Sequence, residues 1–264
     1  MLKARGCTAG LLLWSVGFFS ALVPLAHGID KKDIVRQARQ SYYSLNSEGL
    51  MGFRCEVLVD WDSTFKTLKT DAVGREQLLP ILKKTQFDLL VGENGASTVS
   101  HRSDMAPANE EIAERLRRVT SGIEQILTGF MHTWSGFMMK SPVPESESEY
   151  QVQDLGEHGY RLALKQGTAD VAISMTRDYA IEAMQVTTPE FEGTVRPRFS
   201  RKKNGFVLIG YDAVYKAASG SPQQVSVKVE YKDVEGFNLP STVAATVNSV
   251  ETLLTFGDYH LKKR

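Results

Sequence analysis

Apolar residues recur every three or four positions in two segments of the N-terminal half, which predicts two amphipathic helices. The first segment is Ile29–Asn46, and its apolar face consists of Ile34, Ala38, Tyr42 and Leu45. The second is Pro107–Lys140, which would form a helix about 45 Å long if it is unbroken. Its apolar stripe consists of Ile112, Leu116, Val119, Ile123, Ile126, Leu127, Phe130, Trp134, Phe137 and Met138.

Three glycines flank the stripe of the long predicted helix at regular intervals, at Gly122, Gly129 and Gly136. Glycine inside a helix costs about 1 kcal/mol relative to alanine. Two explanations of their recurrence remain open: the glycines let another backbone approach the helix, or they mark a break in it.

Alternation of apolar and polar residues predicts β-strands over most of the remaining chain. We predict a long strand at Leu50–Trp61 and a hairpin of Phe87–Val91 with Ala96–His101 around an Asn-Gly turn. Between them, Gln77–Lys84 is predicted to be a short helix, interrupted at Pro80. Later strands are predicted at Tyr160–Lys165, Val171–Thr176, Ile181–Thr187, Phe191–Phe199, Gly205–Ala217, Val225–Lys232, Thr242–Asn248 and Thr252–Leu261.

Strands with one apolar and one polar face form antiparallel sheets that are covered on one side. Short connections favour a meander, and about ten strands in one sheet twist and curl. We therefore predict an α+β fold: a strongly curved, open half-barrel of about ten antiparallel strands, with the helices covering its concave face. Its interior would either enclose an apolar cavity for a hydrophobic ligand or be filled by side chains.

The N-terminus has the pattern of a secretory signal peptide. Lys3 and Arg5 precede an apolar run at Leu11–Ala26. The small residues Ala26 and Gly28, on either side of His27, suit a signal-peptidase cleavage site. The run is shorter than the about 20 residues that span a bilayer, which favours cleavage after Gly28 over an uncut membrane anchor. We predict a signal peptide at residues 1–28 and export to the periplasm.

The rest of the chain, residues 29–264, is predicted to be one domain with an acidic, proline-containing linker at residues 141–149. A content of 42% hydrophobic and 23% charged residues is typical of a globular protein and argues against disorder. The 31 basic and 31 acidic residues balance, and removal of Lys3 and Arg5 leaves 29 against 31. This charge does not point to nucleic acid as a partner.

The cysteines exclude a disulfide scaffold in the exported chain. Cys7 precedes the apolar run, whereas a lipid-modified cysteine would follow it, so we do not expect lipid attachment at Cys7. Cys55 lies in an alternating strand pattern, which favours a small buried hydrophobe over a reactive thiol.

The order of these elements resembles that of the exported lipoprotein carriers of the LolA/LolB-like superfamily. The shared features are the signal peptide, the amphipathic helix, the long strand, the helical insertion and the meander. The likeness is closest in the final strands, with Val229-Glu230-Tyr231-Lys232, a Gly-x-x-Leu-Pro turn at Gly236–Pro240 and an aromatic-bearing last strand through Phe256 and Tyr259. The resemblance implies an open β-barrel with a helical lid that shields an acyl chain during transport of lipidated proteins across the periplasm.

Two groups of residues are candidates for lipid contact. The apolar candidates come from the long strand and the long helix, and core packing is the alternative role: Phe53, Val57, Trp61, Ile123, Leu127, Phe130, Trp134, Phe137 and Met138. The basic candidates would meet anionic head groups at about 1 kcal/mol each, or else form a solvated hairpin tip: Arg196, Arg198, Arg201, Lys202 and Lys203.

Candidate catalytic signals are weak. The histidines His101, His132, His158 and His260 lack the spacing of a helix-borne metal site. Asp60 and Asp62 could hold a cation or act as an acid–base pair, but a solvated strand end is the simpler reading. Ser135 lacks the first glycine of a nucleophile elbow. We therefore expect no catalytic residue, metal or cofactor.

Three functional hypotheses follow. The first is a periplasmic, non-enzymatic carrier or chaperone that binds a lipid acyl chain or a lipidated protein. Its further partners would be inner- or outer-membrane envelope proteins, and it could contact the membrane transiently. The second is an envelope protein-interaction module with a filled core. The third is a hydrolase whose residues converge only in the folded state.

Overall fold

The computed structural model describes residues 30–67, 72–145 and 149–264, and it confirms the predicted α+β fold class. Within these ranges, an open sheet of 12 antiparallel strands curves around the helices that cover its concave face. The predicted signal peptide at residues 1–28 lies outside the described residues.

The strands overlap all the predicted ones, although most of the bounds differ, and one strand, β4, was not predicted. They are β1 (Leu50–Val59), β2 (Thr85–Val91), β3 (Ser97–Ser103), β4 (Tyr150–Asp154), β5 (Tyr160–Gln166), β6 (Ala169–Met175), β7 (Ile181–Thr187), β8 (Phe191–Lys202), β9 (Gly205–Ala217), β10 (Gln223–Val234), β11 (Phe237–Val247) and β12 (Val250–Lys263).

The helices within the described ranges are α1 (Lys31–Gln40), α2 (Trp61–Thr67), α3 (Ala72–Leu82) and α4 (Glu110–Met138). None of them is both long and apolar enough to cross a membrane. The predicted helix at Gln77–Lys84 corresponds to α3, which begins earlier and contains Pro80.

The order of strands in the sheet explains why α4 crosses it. The order is β3-β2-β1-β12-β11-β10-β9-β8-β7-β6-β5-β4, so neighbouring strands in the sheet are consecutive along the chain except where β1 pairs with β12. The strands β3 and β4 follow each other along the chain but form opposite edges. Their connection must therefore cross the sheet, and the 29 residues of α4 extend for about 44 Å of that crossing.

The long helix is continuous, although it begins later than the predicted Pro107. The side chain of Asn109 caps it by accepting a hydrogen bond from the N–H of Ile112 at 2.9 Å. Both explanations offered for its glycines are wrong. A Cβ added at any of them would meet no atom within 4 Å, so no backbone approaches there, and the helix does not break: Gly122, Gly129 and Gly136.

The first helix is shorter than the predicted Ile29–Asn46 and ends at Gln40. Beyond it the main chain bonds to β9 instead: the N–H of Phe206 donates to the carbonyl of Ser41 at 2.7 Å, and the N–H of Tyr43 donates to Phe206 at 3.1 Å. These bonds replace helical ones. The predicted apolar positions past this point are buried in a non-helical segment: Tyr42 and Leu45.

The predicted strand Leu50–Trp61 is also too long. β1 ends at Val59, and Trp61 is the first residue of α2. The intervening Asp60 ends the strand because its carboxylate accepts a hydrogen bond from the N–H of Ser63 at 3.0 Å, as a helix cap does. Trp61 is nevertheless buried.

The first part of the predicted linker at 141–149 packs against α1. Val143 is buried, and its carbonyl accepts a hydrogen bond from Arg39 at 2.7 Å. The same guanidinium lies 3.8 Å from the carboxylate of Glu145. Residues 146–148 lie outside the described ranges.

Candidate functional site

The apolar stripe of α4 lies against the concave face of the sheet. Its buried positions become denser toward the C-terminal end: Ile112, Thr120, Ile123, Leu127, Phe130, Met131, Trp134, Ser135, Phe137 and Met138. Every apolar residue proposed from the sequence to contact a lipid is buried, and all belong to one hydrophobic core. Whether they bind a lipid stays a prediction.

Trp134 connects the helix to several strands. Its ring lies edge-on to Phe53 of β1, with centroids 6.0 Å apart, and 6.5 Å from Phe130. Phe130 in turn lies 6.0 Å from Phe256 of β12. The indole N–H of Trp134 donates a hydrogen bond to the hydroxyl of Tyr231 at 3.1 Å. This bond places a polar group within the mostly apolar core between α4 and the sheet.

The C-terminal end of α4 is fixed by main-chain hydrogen bonds. The carbonyl of Met138 accepts from the N–H of Leu45 at 2.9 Å. The sulfur of Met138 also accepts from the N–H of Leu208 in β9 at 3.4 Å. Nearby, Phe137 lies edge-on to Phe199 of β8 at 5.8 Å. This end of the helix is therefore held by both backbone and side chains.

The N-terminal part of α4 is held by side chains alone. Among residues 110–120 only Ile112 and Thr120 are buried. Within the described residues, main-chain hydrogen bonds from other elements reach α4 only at its C-terminal end. Farther along, Glu124 accepts a hydrogen bond from His101 of β3 at 2.8 Å. The helix is thus unequally anchored along its length.

Two of the predicted apolar residues extend the core toward α2 and β2. Trp61 packs against Phe65 and Phe87, with ring centroids 6.4 and 6.5 Å away. Val57 pairs with Phe87 in the β1–β2 ladder. The predicted set therefore lines an extended core and not one compact cavity.

Side chains fill the concave side, so the sequence alternative of a filled interior describes this structure. The two best-formed pockets in the described part of the chain lie elsewhere. One, of about 190 Å³, is lined by Leu58, Val59, Asp60, Trp61, Asp62, Lys83 and Thr85. The other, of about 320 Å³, is lined by Ser200, Lys202, Val207, Ile209, Val229, Glu230, Tyr231 and Asn238.

The predicted basic cluster does not form a single patch. Arg198 pairs with Asp212, and Arg201 lies 3.6 Å from Asp178. The five predicted basic residues extend from Arg196 to Lys203, which is about 23 Å along β8 and the turn after it in an extended chain. The remaining members have no acidic partner among the described residues: Arg196, Lys202 and Lys203.

Asp60 and Asp62 line the same pocket, but no histidine and no serine of the described residues lines it with them. Lys83 lies 2.7 Å from Asp62 and holds the pKa of that carboxyl below its ordinary value through a hydrogen bond. Ser135 lies buried inside α4, and Asp60 caps α2. Within the described ranges, no three histidine, cysteine or acidic residues meet in a way that could hold a metal ion.

The interpretation of Cys55 as a buried hydrophobe is confirmed. Its side chain has no exposed surface, and burial raises the pKa of its thiol to about 12. A thiol that stays protonated is a poor nucleophile.

The sequence reasoning missed the polar groups that face this core. The hydroxyl of Tyr42 accepts from the N–H of Ile181 and donates to the carbonyl of Tyr179, each at 2.7 Å. Tyr231 is the partner of Trp134, as described above. The periodicity of the first predicted helix places Tyr42 on an inward face, and strand alternation does the same for Tyr231. Their hydrogen-bond partners lie far away along the chain and leave no local signal.

No protein-family model matches the chain, and neither a curated protein nor a solved structure matches it. The likeness to LolA/LolB-like carriers therefore rests on the order of elements and the residues of the final strands.

Proposed function

We propose that the protein is an exported, non-enzymatic carrier that holds an acyl chain, free or attached to a lipidated protein, between α4 and the concave face of the sheet. The observation that supports the proposal is the Met- and aromatic-rich stripe of α4, which is packed against an open sheet and, within the described residues, anchored by main chain only at its C-terminal end. Such side chains adapt to apolar ligands of varied shape. Each buried methylene contributes about 0.8 kcal/mol to binding.

Because side chains fill the interior, a ligand must displace part of α4. The N-terminal part of the helix can swing about its C-terminal anchor, since among the described residues it is held by side-chain contacts alone. Binding then stabilises an open state that the free protein populates weakly.

The first experiment asks whether the protein carries lipid. The purified protein is denatured and extracted, and the extract is examined by lipid mass spectrometry. Uptake of a fluorescent fatty acid by the native protein is measured in parallel. Recovered lipid or saturable uptake supports the proposal, and the absence of both contradicts it.

The second experiment fixes α4 in place. The variant His101→Cys/Glu124→Cys, joined by a short bismaleimide, connects α4 to β3 where the two side chains now meet at 2.8 Å. Cys55 is too deeply buried to compete for the reagent. We expect the cross-linked protein to lose fatty-acid uptake and the unreacted variant to retain it.

A matched control cross-link avoids the helix. Arg161 and Ser174 face each other in the β5–β6 ladder, so the pair Arg161→Cys/Ser174→Cys takes the same reagent without touching α4. This protein should bind like the parent. Equal binding by all cross-linked forms would show that α4 need not move and would contradict the carrier mechanism.

The filled interior also favours a second candidate, an envelope protein-interaction module that uses its outer surface. In that case no lipid is recovered, and cross-linking α4 leaves all binding properties unchanged.

A further inference from the structure

The far end of the β10–β11 hairpin is separated from the sheet on both sides. The β9–β10 ladder ends at the pair Gly210 and Lys228, and the β11–β12 ladder ends at Thr242 and Thr255. The two strands of the hairpin stay paired with each other to its tip. We call residues 229–241 the distal hairpin. In the part of the chain that the structure describes, it has no strand ladder to β9 or to β12.

Irregular backbone explains the separation. The β8–β9 register shifts so that Ile209 is left without a partner, and the β10–β11 register shifts so that Ser241 is left without one. Such bulges bend strands away from their neighbours. A Cβ on Gly210 would lie 2.3 Å from the carbonyl oxygen of Val227. Pro240 lies next to the second bulge and has no N–H to offer a ladder.

Side chains replace the missing ladder bonds. The hydroxyl of Tyr231 donates to the carbonyl of Leu208. On the other side, Lys232 donates to the carbonyl of Phe256 at 2.8 Å. The hydroxyl of Tyr259 reaches the carbonyl of Pro240 in the distal hairpin at 2.6 Å. Moving the distal hairpin would break these side-chain hydrogen bonds and expose its buried residues Val229, Phe237 and Leu239, but it would not require a strand ladder to break.

A groove lies where β9 and the distal hairpin diverge. Its volume of about 320 Å³ is at the lower end of the roughly 300–1,000 Å³ typical of ligand pockets. Val207, Ile209 and Val229 give it apolar walls. Tyr231 also lines it, and the same hydroxyl bonds to Trp134 of α4. The side chain of Tyr231 therefore lies between the groove at the surface and the candidate site under α4.

The charges at the groove favour an anion. Lys202 lines the groove and has no acidic partner among the described residues. The acidic residue of the lining, Glu230, already pairs with Lys228 at 3.1 Å. One free ammonium group beside an apolar wall complements a single-chain amphiphile with an anionic head group.

From these observations we infer that the groove between β9 and the distal hairpin is the access site for the ligand, with the anionic head group of a single-chain lipid at Lys202 and the acyl chain directed past Tyr231 toward Trp134. This inference rests on the proposed carrier function and adds the chemical class of the ligand and its route. A carboxylate and a phosphate monoester share the required chemistry.

The test uses a diazirine-bearing palmitic acid, the corresponding alcohol as an uncharged probe, and lysophosphatidic acid as a competitor. We expect Lys202→Gln to weaken binding of the acid by about tenfold, the usual effect of losing one charge-assisted hydrogen bond. Binding of the alcohol should be unchanged. Lys203→Gln removes a neighbouring charge that does not line the groove and should change neither affinity by more than about twofold. After irradiation, adducts of the acid should map to residues 200–209 and 229–238.

The outcomes separate the two proposals. Displacement of the acid by lysophosphatidic acid indicates a site for either anion, and no displacement limits it to carboxylates. If the wild-type protein binds the acid but Lys202→Gln binds it equally well and adducts map outside the groove, the access site is wrong and the carrier function stands. If the wild-type protein binds neither probe, both proposals fail.

Discussion

At the scale of single residues, the hydroxyl of Tyr231 joins α4 to the sheet. It accepts from Trp134 and donates to Leu208, and both of those partners are fully or almost fully buried. Replacing Tyr231 with phenylalanine leaves two buried polar groups unsatisfied, which costs about 1–3 kcal/mol. We expect Tyr231→Phe to lower the free energy of unfolding by this amount, as measured by urea denaturation.

Tyr215→Phe provides the matched control for this substitution. Its hydroxyl lies 3.5 Å from that of Thr133 on α4, a contact at the outer limit of a hydrogen bond. The change should cost less than about 0.5 kcal/mol. A loss as large as that of Tyr231→Phe would mean that the hydroxyl of Tyr231 has no special role.

At the scale of elements, the glycines of α4 offer a direct test of helix energetics. A methyl group at Gly129 would meet no atom within 4 Å, so alanine brings only its higher helix propensity. We expect Gly129→Ala to raise the free energy of unfolding by about 0.5–1 kcal/mol. Gly210→Ala is the opposite case, because its Cβ would overlap the carbonyl of Val227. It should destabilise the protein, and a stabilising effect would contradict the close backbone contact.

Elements were predictable from sequence where one local pattern decides them. The alternation of residues placed β7 and β9 at their observed bounds. Prediction failed where hydrogen bonds between distant residues, or helix caps, determine where an element ends. The pairing of Ser41 with Phe206 ends α1 early, and the cap at Asp60 moves Trp61 from a strand into a helix. β4 was missed because it is a short edge strand directly after the acidic segment 141–149 and has few apolar residues.

At the scale of the whole molecule, the pattern of residues predicted an open meander covered by helices, but not what lies between them. The two sheet edges, β3 and β4, are adjacent along the chain, which forces their connection across the sheet. Whether α4 then roofs a cavity or fills it depends on side-chain volumes on strands distant in sequence, such as Phe256 beneath Phe130. The separation of the distal hairpin likewise depends on bulges in two ladders that no local pattern reveals.

The buried tyrosines make the stability of the whole fold sensitive to alkali. Burial raises the pKa of each phenol above its ordinary value, at Tyr42, Tyr211, Tyr231 and Tyr259. The unfolded chain releases these protons at about pH 10, before the folded protein does. The stabilising contribution is therefore complete below that pH and is lost above it, by up to about 1.4 kcal/mol per pH unit for each group.

Urea denaturation between pH 8 and pH 11 should show this loss, with tyrosinate absorbance rising together with the loss of circular dichroism. Tyr211→Phe removes one such phenol and should flatten the slope. Ionisation of all nine tyrosines near pH 10 in a protein that stays folded would show that water reaches the buried hydroxyls and that the core beneath α4 is open.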